Sequence, residues 1–386
     1  MTRLQIAALT ALLAFSPARA DEGITDTEIK LGMVNAQSGP ASGLGRGLRA
    51  GAQAYFQDLN ARGGVHGRQI SLVVADDGYE PDRAVDETLK MIEQQRTFAL
   101  FGYVGTPTAN AVLPIVKEMD VPLVGLFTGA MSLRQPVTPQ LFNVRASYDD
   151  EAEALVAHFV AKGARSVAVF YQDDGFGMAV LASTEKALGK RGMRVAARST
   201  FQRNTLAVKS GLAAMLDANP DAIVMVGPYA PLAAFIREAR ATGLRSQLAT
   251  VSFVGTNNLV AELGKDGDGV VISQVVPYPY DDDLAVTREC REALAKYGHE
   301  PLGFVNFEGC LTARVLATAL ERAGRTVDRK SLVDTLNAMR LVDIGGLSAS
   351  FSPERHQAFD KVFMTQIQGG RIVKLSIGPP GIREHQ

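Results

Sequence analysis

Two segments far apart in the chain share one construction, and it limits the possible fold more than any other feature. Residues 101–106 read Phe-Gly-Tyr-Val-Gly-Thr, and residues 223–229 read Ile-Val-Met-Val-Gly-Pro-Tyr. Each is an apolar strand pattern that breaks at glycine into a polar, aromatic loop, with a helix pattern behind it. In open α/β sheets, ligands bind beyond the carboxyl ends of such strands. Two such edges in one chain imply two lobes that close on a small molecule.

The rest of the chain keeps the same alternation. Strand patterns at 29–35, 70–75, 98–103, 121–127 and 141–145 interleave with helix patterns at 47–61, 81–95 and 108–119. The first helix pattern carries Leu48, Ala52, Tyr55, Phe56 and Leu59 at helical spacing. The pattern then restarts, with helices at 151–162, 178–191, 206–218 and 232–242 and strands at 167–171, 195–200, 222–226, 248–253 and 270–276. This order predicts an α/β protein with two doubly wound parallel-sheet lobes and helices on both faces. Pro277-Tyr278-Pro279 interrupts it as a stiff connector. A helical stretch then runs to about residue 339, and β-like segments at 348–351, 362–367 and 372–377 close the chain.

Length agrees with two lobes, since 386 residues exceed what one compact core accommodates. At the start, Arg3, an apolar run over 6–15 and the small-x-small site Ala18-Arg19-Ala20 predict an export signal over 1–20. The run is shorter than the roughly 20 apolar residues that a spanning anchor needs. The expected product is a periplasmic protein, not membrane-embedded, that begins near Asp21.

Several function classes drop out. A net charge of −1 gives no basic field for nucleic acid. The chain has no G-x-S-x-G elbow, no H-E-x-x-H pair and no phosphate-cradling loop of the Walker type, so an enzyme is not expected. Gly43-Leu44-Gly45-Arg46-Gly47-Leu48 is a poor match to a dinucleotide fingerprint, because it follows a polar loop and lacks the third glycine. The histidines His66, His158, His299, His356 and His385 are dispersed, and neither a metal nor a cofactor is expected. Cys290 and Cys310 are equidistant from a loop centred near Glu300, between helix patterns at 284–297 and 304–323. In an antiparallel helix pair they stand level, as a disulfide or as two buried thiols.

A set of short motifs, in order along the chain, carries a resemblance. They are Gln37-Ser38-Gly39-Pro40, Asn60-Ala61-Arg62-Gly63-Gly64-Val65-His66-Gly67-Arg68, Asp76-Asp77, Gly102 to Thr106, Phe127-Thr128-Gly129-Ala130 and Phe142-Asn143-Val144-Arg145-Ala146-Ser147. The second half adds Asp174-Gly175-Phe176-Gly177, Val226-Gly227-Pro228-Tyr229, Ala239-Arg240-Ala241-Thr242-Gly243-Leu244 and Gln274-Val275-Val276-Pro277. Together they resemble the type I periplasmic binding proteins of the leucine/isoleucine/valine-binding class, the soluble receptors of ABC uptake systems. The resemblance implies three crossovers between lobes, near 146–148, 276–279 and 347–351. It implies one lobe from 21–147 plus 279–349 and another from 148–278 plus 350–386. It also implies a monomer that binds an amino acid, an aromatic or aliphatic carboxylate, or an amide, and serves a membrane permease. A receptor domain of the same fold, reporting to a signalling partner, is the alternative.

The same resemblance implies site residues. Thr106, with Tyr103 on its loop, falls where the family contacts the ligand carboxylate; otherwise Thr106 bonds its own turn. Phe127, Thr128, Gly129 and Ala130 form the next loop, whose amides make an anion-binding concavity. Phe176 and Tyr229 fall at aromatic positions of the second lobe. Asp150 falls where an acid can face a ligand ammonium, and it equally suits a helix start. One departure stands out. Amino-acid binders of this class commonly place an acid after the next strand, and here that stretch reads Ser252-Phe253-Val254-Gly255.

Overall fold

The computed structural model describes residues 22–375, so the expected export signal and the end of the last strand pattern lie outside the described residues. The first lobe is laid down by β1 (Glu28–Asn35), α1 (Ser42–Ala61), β2 (Gln69–Asp76), α2 (Pro81–Glu93), β3 (Ala99–Phe101), α3 (Thr106–Glu118), β4 (Leu123–Val124) and β5 (Leu141–Phe142). Its five strands run parallel in the order β2-β1-β3-β4-β5. Glu28 pairs with Gln69 and the register continues to Asn35 opposite Asp76. β3 and β4 are shorter than their apolar patterns, because the chain turns out of the sheet at Gly102 and Gly125, both at positive φ.

The second lobe follows with α4 (Tyr148–Ala161), β6 (Val167–Gln172), α5 (Gly175–Gly189), β7 (Val195–Phe201), α6 (Lys209–Ala218), β8 (Ala222–Val226), α7 (Tyr229–Ala241), β9 (Gln247–Thr250), α8 (Thr256–Leu263) and β10 (Val271–Gln274). The chain then returns to the first lobe for α9 (Ala285–Ala293), α10 (Phe304–Ala323), α11 (Arg329–Ala338), β11 (Val342–Asp343) and β12 (Ser348–Ala349). It ends back on the second sheet with β13 (Phe363–Gln368) and β14 (Arg371–Leu375). The seven-stranded order is β14-β13-β10-β9-β8-β6-β7. This sheet is not wholly parallel, since β13 pairs antiparallel with both β10 and β14.

Two local differences from the sequence patterns have simple causes. α8 has eight residues, too few for a helical period to register, and its Asn257-Asn258 start is polar. α1 begins at Ser42 rather than 47, although Gly43, Gly45 and Gly47 are weak helix formers. Close packing explains Gly45 and Gly47, where a Cβ would lie 2.0 Å from the Ala36 carbonyl oxygen and 2.9 Å from the Val305 side chain of α10. The contact tightens further along the helix. A Cβ at Gly51 would lie 1.7 Å from the Asn306 carbonyl oxygen, and one at Gly309 would lie 2.1 Å from that of Leu48. α1 and α10 therefore meet backbone to backbone, and only glycine fits at the contact. In the glycine run that loosely matches a nucleotide fingerprint, Gly47 faces α10 at this seam, whereas Gly45 abuts the Ala36 carbonyl and Gly43 meets Asn258 of the second lobe.

Behind the seam, Cys290 of α9 and Cys310 of α10 are joined as a disulfide with Cα atoms 5.9 Å apart. Both cysteines are fully buried with Phe307, Leu311 and Leu294. The free-thiol alternative is excluded in this structure. Another apolar cluster runs without a break from Val34 and Tyr103 of the first lobe to Val169 and Val224 of the second. The lobes are shut against each other.

Candidate ligand cleft

The cleft is built where α3 and the 127–130 loop of the first lobe meet α5 and the 252–254 turn of the second. Thr106 opens α3 behind Gly105, whose φ is 101°. A Cβ at Gly105 would sit 2.2 Å from the Tyr79 ring, so this turn demands glycine on both conformational and steric grounds. The Thr106 and Thr128 hydroxyls share a hydrogen bond of 2.6 Å, and Thr128 also donates to the Tyr148 hydroxyl at 3.3 Å. Arg134 holds the loop from behind by donating to the carbonyls of Thr128, Ala130 and Arg145. Burial lowers its guanidinium to about 10.

Aromatic rings fill the space between the lobes. Phe253 lies at its centre, 4.3 Å from Phe176, 5.5 Å from Phe127 and 6.1 Å from Tyr79, centroid to centroid. Tyr148 continues the group at 5.5 Å from Phe176. All five rings are buried. Tyr79 is held at φ 62°, a conformation that bulky residues rarely adopt, and Gln172 of the other lobe donates to its hydroxyl at 3.3 Å.

Beneath the rings lies a charged cluster. The Arg145 guanidinium stacks 4.5 Å from the Phe127 centroid. It lies 3.8 Å from Glu151 and 3.4 Å from Glu308, and donates to the Ser252 hydroxyl. Glu151 accepts from Ser252 N–H at 2.7 Å and from the Ser273 hydroxyl at 2.6 Å. Burial raises both carboxyls, that of Glu308 to about 7, with Arg145 opposing the shift. Such a cluster ties α4 and the 252–254 turn of one lobe to α10 of the other.

The structure thus brings together Thr106, Phe127, Thr128 and Phe176 among the expected site residues. Gly129 packs so closely that a Cβ there would lie 2.5 Å from the Tyr148 ring, and the Ala130 amide donates to the Thr128 hydroxyl. Three residues are placed elsewhere. The Tyr103 hydroxyl turns to Thr88 of α2 at 2.9 Å. Asp150 serves the α4 start in a capping box with Ser147 and also meets Gln357. Tyr229 stands at the rim, where its hydroxyl accepts from Gly43 N–H across the lobes at 3.2 Å. Tyr79, Tyr148, Phe253 and the Arg145 cluster were missed. Phe253 reads in sequence as the end of an apolar strand, and nothing in the order of residues joins Arg145 to Glu308.

A surface cleft of about 650 Å³ lies elsewhere, beside α4 and α5. Its charges neutralise one another, with Asp149 2.7 Å from Lys186 and Glu153 3.0 Å from Lys190. We place the site in the ring cluster instead, because it joins strand-end loops of both sheets.

The sequence pattern of the family described as periplasmic binding protein matches residues 28–371. The chain belongs to this family. Among solved structures, a possible leucine/isoleucine/valine-binding protein from Rhodopirellula baltica superposes with a TM-score of 0.87 at 34% identity, covering 91% of this chain and 97% of that one. A substrate-binding periplasmic protein from Ralstonia solanacearum gives 0.83 at 28%, covering 90% and 100%. The leucine-specific-binding protein of Salmonella typhimurium is 23% identical over 320 residues, which are 82% of this chain and 84% of that one. This periplasmic binding protein has the two-lobed type I fold of these relatives. Among the described residues, no helix is long and apolar enough to cross a membrane.

Proposed function

We propose that this chain is an exported solute-binding protein of an ABC uptake system, a binder rather than an enzyme. It takes an amino acid, carboxylate or amide between its lobes and presents it, as a monomer, to a membrane permease in the periplasm. One observation carries the reading. Thr106 and Thr128 from the strand-end loops of one sheet, and Phe176 and Phe253 from those of the other, converge in a single buried cluster. The family membership and the relatives' names support it. The division into 21–147 plus 279–349 and 148–278 plus 350–386 is supported by which strands share a sheet; the signal over 1–20 rests on the sequence alone.

Ligand binding between lobes requires that they part. A thermal-shift panel of amino acids, carboxylates and amides on the mature chain should find a stabilising compound. At 100 times its dissociation constant it adds about 2.7 kcal/mol. Small-angle scattering with that compound should then show a smaller radius of gyration than without it. A panel hit that leaves the scattering unchanged at saturation refutes closure on ligand.

A further inference from the structure

An α-amino acid removed from water needs a carboxylate, or an equivalent set of acceptors, for its ammonium group. The acids around the ring cluster are already committed. Glu151 takes the Ser252 amide, the Ser252 and Ser273 hydroxyls and the charge of Arg145. Asp174 caps α5 through the Phe176 and Gly177 amides and accepts from Gln172 at 2.6 Å. Asp150 is closed into its capping box. Glu308 lies against Arg145. Asp77 accepts from the Tyr79 amide and leaves Oδ2 without a partner, but it lies where its charge acts on Tyr103, whose hydroxyl faces α2.

The available groups are of the opposite kind. Arg145 is fully buried under Phe127, and its Nη1 has no hydrogen-bond partner. The Thr106, Thr128 and Tyr148 hydroxyls form one chain, in which Thr128 donates to Tyr148 and the Tyr148 proton is left as a donor at the same rings. The Gln172 Oε1, also buried and unpartnered, is a neutral acceptor that suits a ligand hydroxyl but does not neutralise a cation. The Arg145 charge is shared with Glu151 and Glu308, so what it offers a ligand is the unpaired Nη1–H donor, which suits a carboxylate oxygen and has nothing to accept from an ammonium.

We propose that the ligand of this cleft is a carboxylate on an aromatic or branched apolar body that carries no α-ammonium group. The inference rests on the solute-binding reading above and narrows it. Opening the lobes, with displacement of Phe253, admits the apolar body between Tyr79, Phe127, Tyr148 and Phe176. The Tyr148 hydroxyl and Arg145 Nη1 face the carboxylate.

The test uses matched pairs that differ only in the amine: leucine and isocaproate, valine and isovalerate, phenylalanine and hydrocinnamate. The mature chain is unfolded, dialysed and refolded to strip carried ligand, and each compound is titrated calorimetrically. The deaminated member of at least one pair should bind about ten-fold tighter or better, equivalent to about 1.4 kcal/mol. Tighter binding of the amino acid in any pair overturns the inference and leaves the solute-binding reading standing. Binding by no member of any pair also overturns it, and the broader panel then judges the parent reading. Phe253→Leu, checked for folding by circular dichroism, should weaken the best deaminated ligand several-fold. Unchanged affinity there refutes the placement of the ligand among these rings.

Discussion

Removal of the Glu80 carboxylate measures how firmly the lobes are held shut. Glu80 precedes α2 on the first lobe, and both its oxygens reach the second. Oε2 meets Arg203 Nη2 at 2.6 Å, and Oε1 accepts from Asn204 Nδ2 at 2.6 Å. The Glu80 side chain is 42% exposed and that of Arg203 23%, so the ion pair is screened and worth about 0.5–1 kcal/mol. The amide bond adds about 1 kcal/mol, and Asn204 keeps its bond to the Gly78 carbonyl. Glu80→Ala should therefore shift the balance toward open lobes by about 1.5–2 kcal/mol, a factor of about 10–30. If the open form already dominates without ligand, the apparent dissociation constant rises by the same factor, mostly through faster release. The assay is scattering without ligand, then titration with the compound that the thermal panel finds, on wild type, Glu80→Ala, Arg203→Ala and the double variant. One shared interaction predicts a double variant close to the weaker single one. Added salt should weaken wild type more than Glu80→Ala. If Glu80→Ala is as closed as wild type and binds as well at low salt, the rim pairs do not hold the lobes.

Gly51→Ala and Gly189→Ala make the same chemical change in two helices and should differ in sign. The first puts a Cβ 1.7 Å from a backbone oxygen and should cost about 3 kcal/mol or more, while the second meets nothing within 4 Å and should gain up to about 1 kcal/mol by urea unfolding. Cys290→Ala with Cys310→Ala opens a link between residues 20 apart and should cost about 3 kcal/mol, and alkylation of unreduced, unfolded wild type should label no thiol. Glu308 holds its proton in the folded state up to about 7, whereas the unfolded chain releases it near 4.5, so the folded form binds more protons in between and stability falls as pH rises through that window. Glu308→Gln should flatten that slope by roughly 3 kcal/mol across the window, and parallel curves for the two proteins would refute the assignment.

The alternation of strands and helices was legible because each element carries its own period. The α10 pattern at 304–323 coincides with the observed helix, and the level placement of Cys290 and Cys310 coincides with their bond. Thr106, Thr128 and Phe176 were legible because they follow strands at glycine bends. Phe253 was not, since a ring that ends an apolar run gives no sign of leaving the sheet for a short turn. Arg145, Glu151 and Glu308 are a cluster made by tertiary packing alone, 6 and 163 positions from first to second and third. Tyr79 had a weak signal in the Asp76-Asp77-Gly78 turn before it, but its crossing to Gln172 depends on how the lobes meet.

The ring cluster also makes the resting position of the lobes a matter of temperature. Parting them wets Tyr79, Phe127, Tyr148, Phe176 and Phe253, all dry in the shut form. Exposure of apolar surface carries a positive heat capacity, and the force that opposes it is mainly entropic near 25 °C and fades on cooling. Hydrogen bonds at the rim follow no such rule. Cold should therefore loosen the aromatic centre of the contact before its polar edge, so the fraction of open molecules rises as the surroundings cool.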